Sequence, residues 1–101
     1  TAIIVDDEIG TGSTVIAAAE ALQAHGAREI WCGVTHGVLS ARAPELVENS
    51  VVKELVVTDT LPITNSKRTS KTKVLSVASL LGEAIHRIHA GESVGAMFDP
   101  R

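Results

Sequence analysis

The 101-residue sequence contains no tyrosine and only one each of tryptophan, phenylalanine, methionine and cysteine. So few aromatic rings leave no stacking platform for nucleobases, and they require a core built from Ala, Val, Leu and Ile, which supply most of the 45% apolar share. A lone cysteine forms no internal disulfide; Cys32, within the strand-like run IWCGVTH, is expected as a small buried hydrophobe in a reducing, cytoplasmic setting. There is no excess of positive charge. A formal charge of −3 argues against a broad basic face of the kind that binds nucleic acid. No apolar run approaches the ~20 residues needed to cross a bilayer, and no signal-like segment opens the chain, so no membrane partner is expected and a soluble protein is. The sequence also lacks an initiator methionine and begins at TAIIV, which suggests a piece of something longer.

At this length one domain is expected, with one modest core. AIIVD (residues 2–6) is a short apolar run ending in acid, suited to a buried strand whose carboxyl end lies at a functional edge. STVIAAAEALQAH (13–25) reads as a helix with Val15, Ala18, Ala19 and Leu22 on one face, ended by Gly26. EIWCGVTH (29–36) is the next strand, giving a βαβ unit with a right-handed crossover. A short helix is expected around 43–49 with Pro44 in its first turn, and KELVVTD (53–59) as a third strand. Residues 61–73, LPITNSKRTSKTK, read as a polar, basic surface loop. A last strand in KVLSVA precedes a helix capped by Ser79, with Leu81, Ala84, Ile85 and Ile88 as its apolar face, ended by Gly91. Residues 92–101 form a tail. The fold class is therefore α/β: a three-layer arrangement of a parallel sheet with flanking helices.

The segment IIVDDEIGTGST (3–14) carries the chemistry. A loop of Gly10, Thr11, Gly12, Ser13 and Thr14 between a strand and a helix gathers unpaired backbone N–H groups around one point, where a phosphate fits. Glycine lets the backbone curl closely around the anion, and the hydroxyls add donors. Asp6 and Asp7 would repel a phosphate held alone, so something neutral or cationic must lie between. A ribose satisfies that requirement. Its 2′ and 3′ hydroxyls donate to carboxylates while its 5-phosphate reaches the loop, and Mg²⁺ held by Asp6 and Asp7 offsets the remaining charge. A bare capped turn is the alternative use of such a sequence.

Neighbouring motifs do not fit. A Walker A loop needs a lysine before its final hydroxyl residue, and the first lysine is Lys53. The dinucleotide fingerprint needs GxGxxG, and only Gly10 and Gly12 are present. A phospho-receiver domain also begins with an acidic pair after a strand, and Asp59 in LVVTDTLP stands where a phospho-acceptor would. That family, however, needs a lysine after its last strand, where this chain has Ser79, and it has no use for GTGST.

IIVDDEIGTGST, THGVLS, KELVVTDTLP and VLSVASLLGEAIHRIHAGESVGAMF together resemble the C-terminal part of the ribose-phosphate pyrophosphokinases, or PRPP synthetases, of the type I phosphoribosyltransferase fold. The resemblance runs over nearly all of residues 1–101 and implies a partial phosphoribosyltransferase-like domain. It further implies a transferase that, in the complete enzyme, moves pyrophosphate from Mg-ATP to ribose 5-phosphate to make PRPP for nucleotide biosynthesis. Carried onto this chain, Asp6 and Asp7 would face the ribose and its metal, and Gly10, Thr11, Gly12, Ser13 and Thr14 would hold the 5-phosphate. Ser93 and Phe98 align near an allosteric site of some members. Two departures stand out: Gly10 replaces a usual acid, and the family's ATP-binding residues, metal-binding His and Asp, and catalytic Lys and Arg are absent. The chain alone is expected to bind and not to catalyse, with self-association covering an exposed face or edge. A non-catalytic phosphoribosyl-binding or regulatory homologue is the alternative.

Other residues carry weaker signals. His86 and His89 lie three apart on the last helix without a third ligand, and read as solvated. Lys67, Arg68, Lys71 and Lys73 read as a solvated basic loop that would at most meet a neighbour's ATP. His36 ends a strand near Asp6, and Trp31 is expected in the core or at a subunit contact.

Overall fold

The computed structural model describes residues 1–98; the last three residues of the expected tail lie outside the described residues. The elements run β1 (Ala2–Ile9), α1 (Ser13–Ala24), β2 (Ile30–Gly37), α2 (Ala43–Glu48), β3 (Val52–Thr58), β4 (Thr72–Leu75) and α3 (Ala78–Ala90), followed by a 3₁₀ turn at Gly95–Phe98. The four strands form one sheet in the order β1-β2-β3-β4, every pair parallel. This is the α/β parallel sheet with helices that the sequence predicts, although the expected third layer is not packed on it: α1 and α2 share one core, α3 buries no residue, and β1 is covered on one face only.

Strand alternation divides the sheet into two unlike faces. Cys32 is registered between Ile4 and Leu55, and Val34 between Asp6 and Val57. On that face Ile30, Cys32, Val34, Leu55 and Val57 are buried in one cluster with Val15 and Ala19 of α1 and Ala43 and Val47 of α2. Consecutive right-handed crossovers place α1 and α2 on the same side. The 59–71 connection, which has no helix, adds Ile63 to the same cluster. On the opposite face Ile3 is 69% and Val5 80% exposed. Trp31 is registered beside Ile3, half-buried, with the Lys53 ammonium 5.2 Å from its ring centroid and 2.5 Å from Glu29.

Several boundaries differ from the sequence expectation. β1 does not stop at Asp6; it continues through Asp7 and Glu8 to Ile9, because Ile9 finds a buried site at 1% exposure that extends the ladder past the acids. Ser79 lies inside α3 and does not cap it: the N-cap is Val77, without a side-chain cap. β4 ends at Leu75. The basic loop is more structured than expected. Lys71 donates its ammonium to the Ser50 carbonyl at 2.7 Å, and Ser70 donates its hydroxyl to Glu48 at 2.6 Å, while Lys73 stands within β4. Gly26 and Gly91 end their helices in the left-handed region, at φ 101° and 72°, as anticipated. Helix α3 has the expected apolar stripe but buries none of its residues, leaving Ile85 and Ile88 more than two-thirds exposed. His86 and His89 are exposed, as expected.

The two faces should differ in energetic weight. Leu55 is 1% exposed, so Leu55→Ala should lower the unfolding free energy by about 2–5 kcal/mol. Ile3→Ala, on the open face, should change it by under about 0.5 kcal/mol in the monomeric chain. Urea denaturation of the two variants against the parent makes the comparison.

Candidate functional site

At the carboxyl end of β1 the chain leaves the sheet at Ile9, crosses Gly10–Gly12 and enters α1 at Ser13. Gly12, the N-cap of α1, has φ 87°, a conformation that glycine adopts without the penalty a Cβ would bring. The Gly12 carbonyl accepts the first helical bond, from Ile16 N–H at 2.9 Å. No side chain caps the helix, so the amides of its first turn are left for solvent or an anion. The turn after β2 braces the loop from behind: Leu39 N–H donates to Ile9 O at 2.9 Å, and Ser40 N–H to Gly10 O at 3.0 Å. Leu39 and Ala41 hold left-handed φ values of 48° and 52°, uncommon for residues with side chains.

These elements enclose a cleft of about 310 Å³ lined by Asp6, Asp7, Glu8, Ile9, Gly10, Thr11, Gly12, Thr14 and Val15. Of the residues singled out from sequence, Asp6, Asp7, Gly10, Thr11, Gly12 and Thr14 therefore come together. Ser13 is not among the lining residues; its hydroxyl lies 3.1 Å from that of Thr11. Glu8 is the residue that sequence reading passed over. Its signal was present in the continuation of the strand to Ile9, which carries a third carboxylate to the cleft.

Asp6 Oδ1 accepts the Asp7 backbone N–H at 2.8 Å, and both aspartates are exposed. Among the described residues neither forms an ion pair, and no three His, Cys, Asp or Glu side chains converge as a metal cluster. An oxygen-only set of at most two carboxylates suits Mg²⁺, which keeps several waters and takes its other ligands from substrate oxygens. Asp6 also bears on the core: burial pushes the Cys32 thiol up to about 11, and the charge of Asp6 adds to the effect. Cys32 is thus an inert buried thiol.

His36 is registered beside Glu8 but is engaged elsewhere, its Nδ1 lying 2.8 Å from the Thr60 hydroxyl. Asp59 also has a local task. Its Oδ1 accepts the Val77 N–H at 2.8 Å, joining the end of β3 to the start of α3. That bond and one from Ser76 hold the Asp59 carboxyl below the usual aspartate range.

The phosphoribosyl synthetase-associated domain model matches residues 1–99. The chain belongs to that family. It is 54% identical over 97 residues to a ribose-phosphate pyrophosphokinase of Caldanaerobacter subterraneus subsp. tengcongensis, covering 96% of this chain and 31% of the relative. It is 48% identical over 99 residues to that of Staphylococcus aureus, with 98% and 31% covered. The crystal structure of phosphoribosylpyrophosphate synthetase from Mycobacterium smegmatis superposes with a TM-score of 0.86 at 40% identity, over 88% of this chain and 30% of that one. This member of the synthetase family thus spans about a third of the length of its curated relatives.

The Asp59 tie gives a pH dependence. A carboxyl whose folded pKa is depressed contributes stability above its unfolded value, about 3.9, and loses it as pH falls through the folded value. The Val77 amide resonance should therefore titrate with a midpoint below that of a free aspartate. The shift should vanish in Asp59→Ala, as heteronuclear NMR would report.

Proposed function

We propose that this chain is the ribose 5-phosphate-binding portion of a ribose-phosphate diphosphokinase, whose complete form transfers pyrophosphate from Mg-ATP to ribose 5-phosphate to make PRPP for nucleotide biosynthesis. The observation that carries the reading is one cleft that gathers the carboxylates of Asp6 and Asp7 with the uncapped Gly10–Thr14 loop at the carboxyl end of a parallel sheet. In such α/β sheets, ligands bind at that end. The relatives named ribose-phosphate pyrophosphokinase support the same substrate.

In this reading the loop amides, that of Ser13 among them, and the Thr11 and Thr14 hydroxyls hold the 5-phosphate, with the Ser13 hydroxyl against that of Thr11. Asp6 and Asp7 accept the ribose hydroxyls and, with waters, hold Mg²⁺. The metal supplies charge neutralisation between carboxylates and phosphate when bound. Among the described residues no Lys or Arg lines the cleft, so these residues orient the sugar without stabilising charge on a transferring pyrophosphoryl group, which is where most catalysis of such transfers resides. ATP is therefore a partner of the complete enzyme only. The same lack of a cation is what favours the second reading, a phosphoribosyl-binding homologue without activity. A cytoplasmic location accords with a thiol that has no disulfide partner.

Calorimetric titration with ribose 5-phosphate in Mg²⁺ buffer tests the site. Loss of a hydrogen bond to a charged group is worth about 1.5–3 kcal/mol, so Asp6→Ala and Thr14→Ala should each weaken binding by roughly tenfold or more. No heat from the parent chain would refute an autonomous ribose 5-phosphate site in this chain. Homo-oligomerisation is proposed as well, on the strength of the open Ile3 and Val5 face. Light scattering should then give a mass above 10.6 kDa at micromolar concentration, and a monodisperse monomer would contradict it.

A further inference from the structure

The cleft presents three carboxylates and no cationic side chain, an unusual balance for a site that takes a phosphate monoester of charge about −1.5 to −2. The segment that braces the loop carries a cation of its own. Arg42 precedes Ala43, whose Cβ lies 3.7 Å and Cα 3.9 Å from where a side chain on Gly12 would begin. Consecutive Cα atoms are about 3.8 Å apart, so the Arg42 Cα lies no more than about 7.7 Å from that point beside the loop. Its base is fixed there by Ser40 N–H on Gly10 O and by Ala43 N–H on Ser40 O, each 3.0 Å.

The guanidinium is held only weakly where it stands. Nε and one terminal nitrogen both reach the same oxygen, Oε2 of Glu45, at 2.9 Å. That is not the two-oxygen fork that makes arginine–carboxylate pairs strong. The side chains are 78% and 56% exposed, and exposed pairs of this type contribute little to stability. Arg42 therefore rotates at small cost if a better anion arrives. A phosphate is such an anion: it offers several oxygens to the fork and carries more charge than a carboxylate. The other ion-paired cations are committed elsewhere, Lys53 to Glu29 and Arg87 to Glu83, and Lys71 is bound to the Ser50 carbonyl.

We infer that Arg42 is a ligand-binding residue of this chain: it exchanges Glu45 for the phosphate group of the sugar phosphate held by Gly10–Thr14, with Glu45 as its competitor in the free protein. The inference rests on the site reading proposed above and adds to it a residue and a competition that can be tested separately.

The test is calorimetric titration of the whole chain with ribose 5-phosphate in Mg²⁺ buffer at low and high salt. Arg42→Gln should weaken binding about five- to tenfold and reduce its salt sensitivity, because one screened charge pair is gone. Arg42→Lys should recover part of the affinity. Glu45→Gln should strengthen binding two- to threefold, and that gain should disappear in the Arg42→Gln/Glu45→Gln double variant. Circular dichroism establishes that each variant is folded; the Glu45→Gln arm reads the proposal even if Arg42→Gln is not. Unchanged affinity in Arg42→Gln, or a Glu45→Gln gain that survives in the double variant, overturns the arginine assignment while leaving the site intact. Absence of binding by the parent overturns both.

Discussion

Two backbone hydrogen bonds, from the Leu39 and Ser40 amides to the Ile9 and Gly10 carbonyls, hold the rest of the site in place. They fix the end of β1 against the turn that follows β2, so the chain can leave the sheet abruptly and still present Gly10–Gly12 in one conformation. The acceptor side is anchored by Ile9, buried at 1% exposure, and the donor side by Leu39, buried at 3%. Each anchor lies beside the polar loop it supports. The left-handed backbone at Leu39 and Ala41 is the strain that this bracing imposes, of order 1–3 kcal/mol for each such residue. The buried Leu39, Ala43 and Val47 around it offset that cost, so strain beside the cleft is balanced by packing behind it.

The same division into supported and unsupported surfaces runs through the whole chain. On one face of the sheet, α1, α2 and Ile63 close over an aliphatic core. On the other, Ile3 and Val5 stand open, and α3 extends from the β3–β4 end without burying a residue. Its start is held by the Asp59 carboxylate on Val77 N–H, while Arg87 bonds Glu83 one turn earlier in the helix and the Ser93 carbonyl past its end. Hydrogen bonds thus orient α3 where burial does not.

Much of this was legible in the sequence. The apolar start of β1, the Ala-rich α1, and Gly26 and Gly91 as helix ends announce themselves through periodicity and backbone chemistry, which are local. The end of β1 was not legible, because DDE reads as a polar stop unless the burial of Ile9 is known, and that burial depends on Leu39, thirty residues later. Ser79 has the look of a cap for an equally local reason, yet the α3 start is tied to Asp59, just past the end of β3. The stripe of Leu81, Ile85 and Ile88 was predicted correctly as a face, but periodicity says only that a face exists, not what meets it. In the site, residue types gave the acids and the loop, while Glu8, the brace from Leu39 and Ser40, and the nearness of Arg42 required the fold.

The continuation of β1 through the acids also bears on what they hold. Successive strand residues point to opposite faces, and the register places Asp6 on the side of Val34 and Cys32, in agreement with its effect on the Cys32 thiol. Strict alternation does not carry to the end of the strand, because Ile9, two places after Asp7, is buried in the core, and both aspartates line the cleft. In the reading proposed above the two carboxylates meet an extended ligand, with any metal completing its shell from water and the ligand itself. A vicinal diol with a phosphate a few bonds away has that extension, and the loop begins three residues after Asp7. The length of that stretch, and not the alternation of the strand, is what suits the cleft to the proposed sugar phosphate.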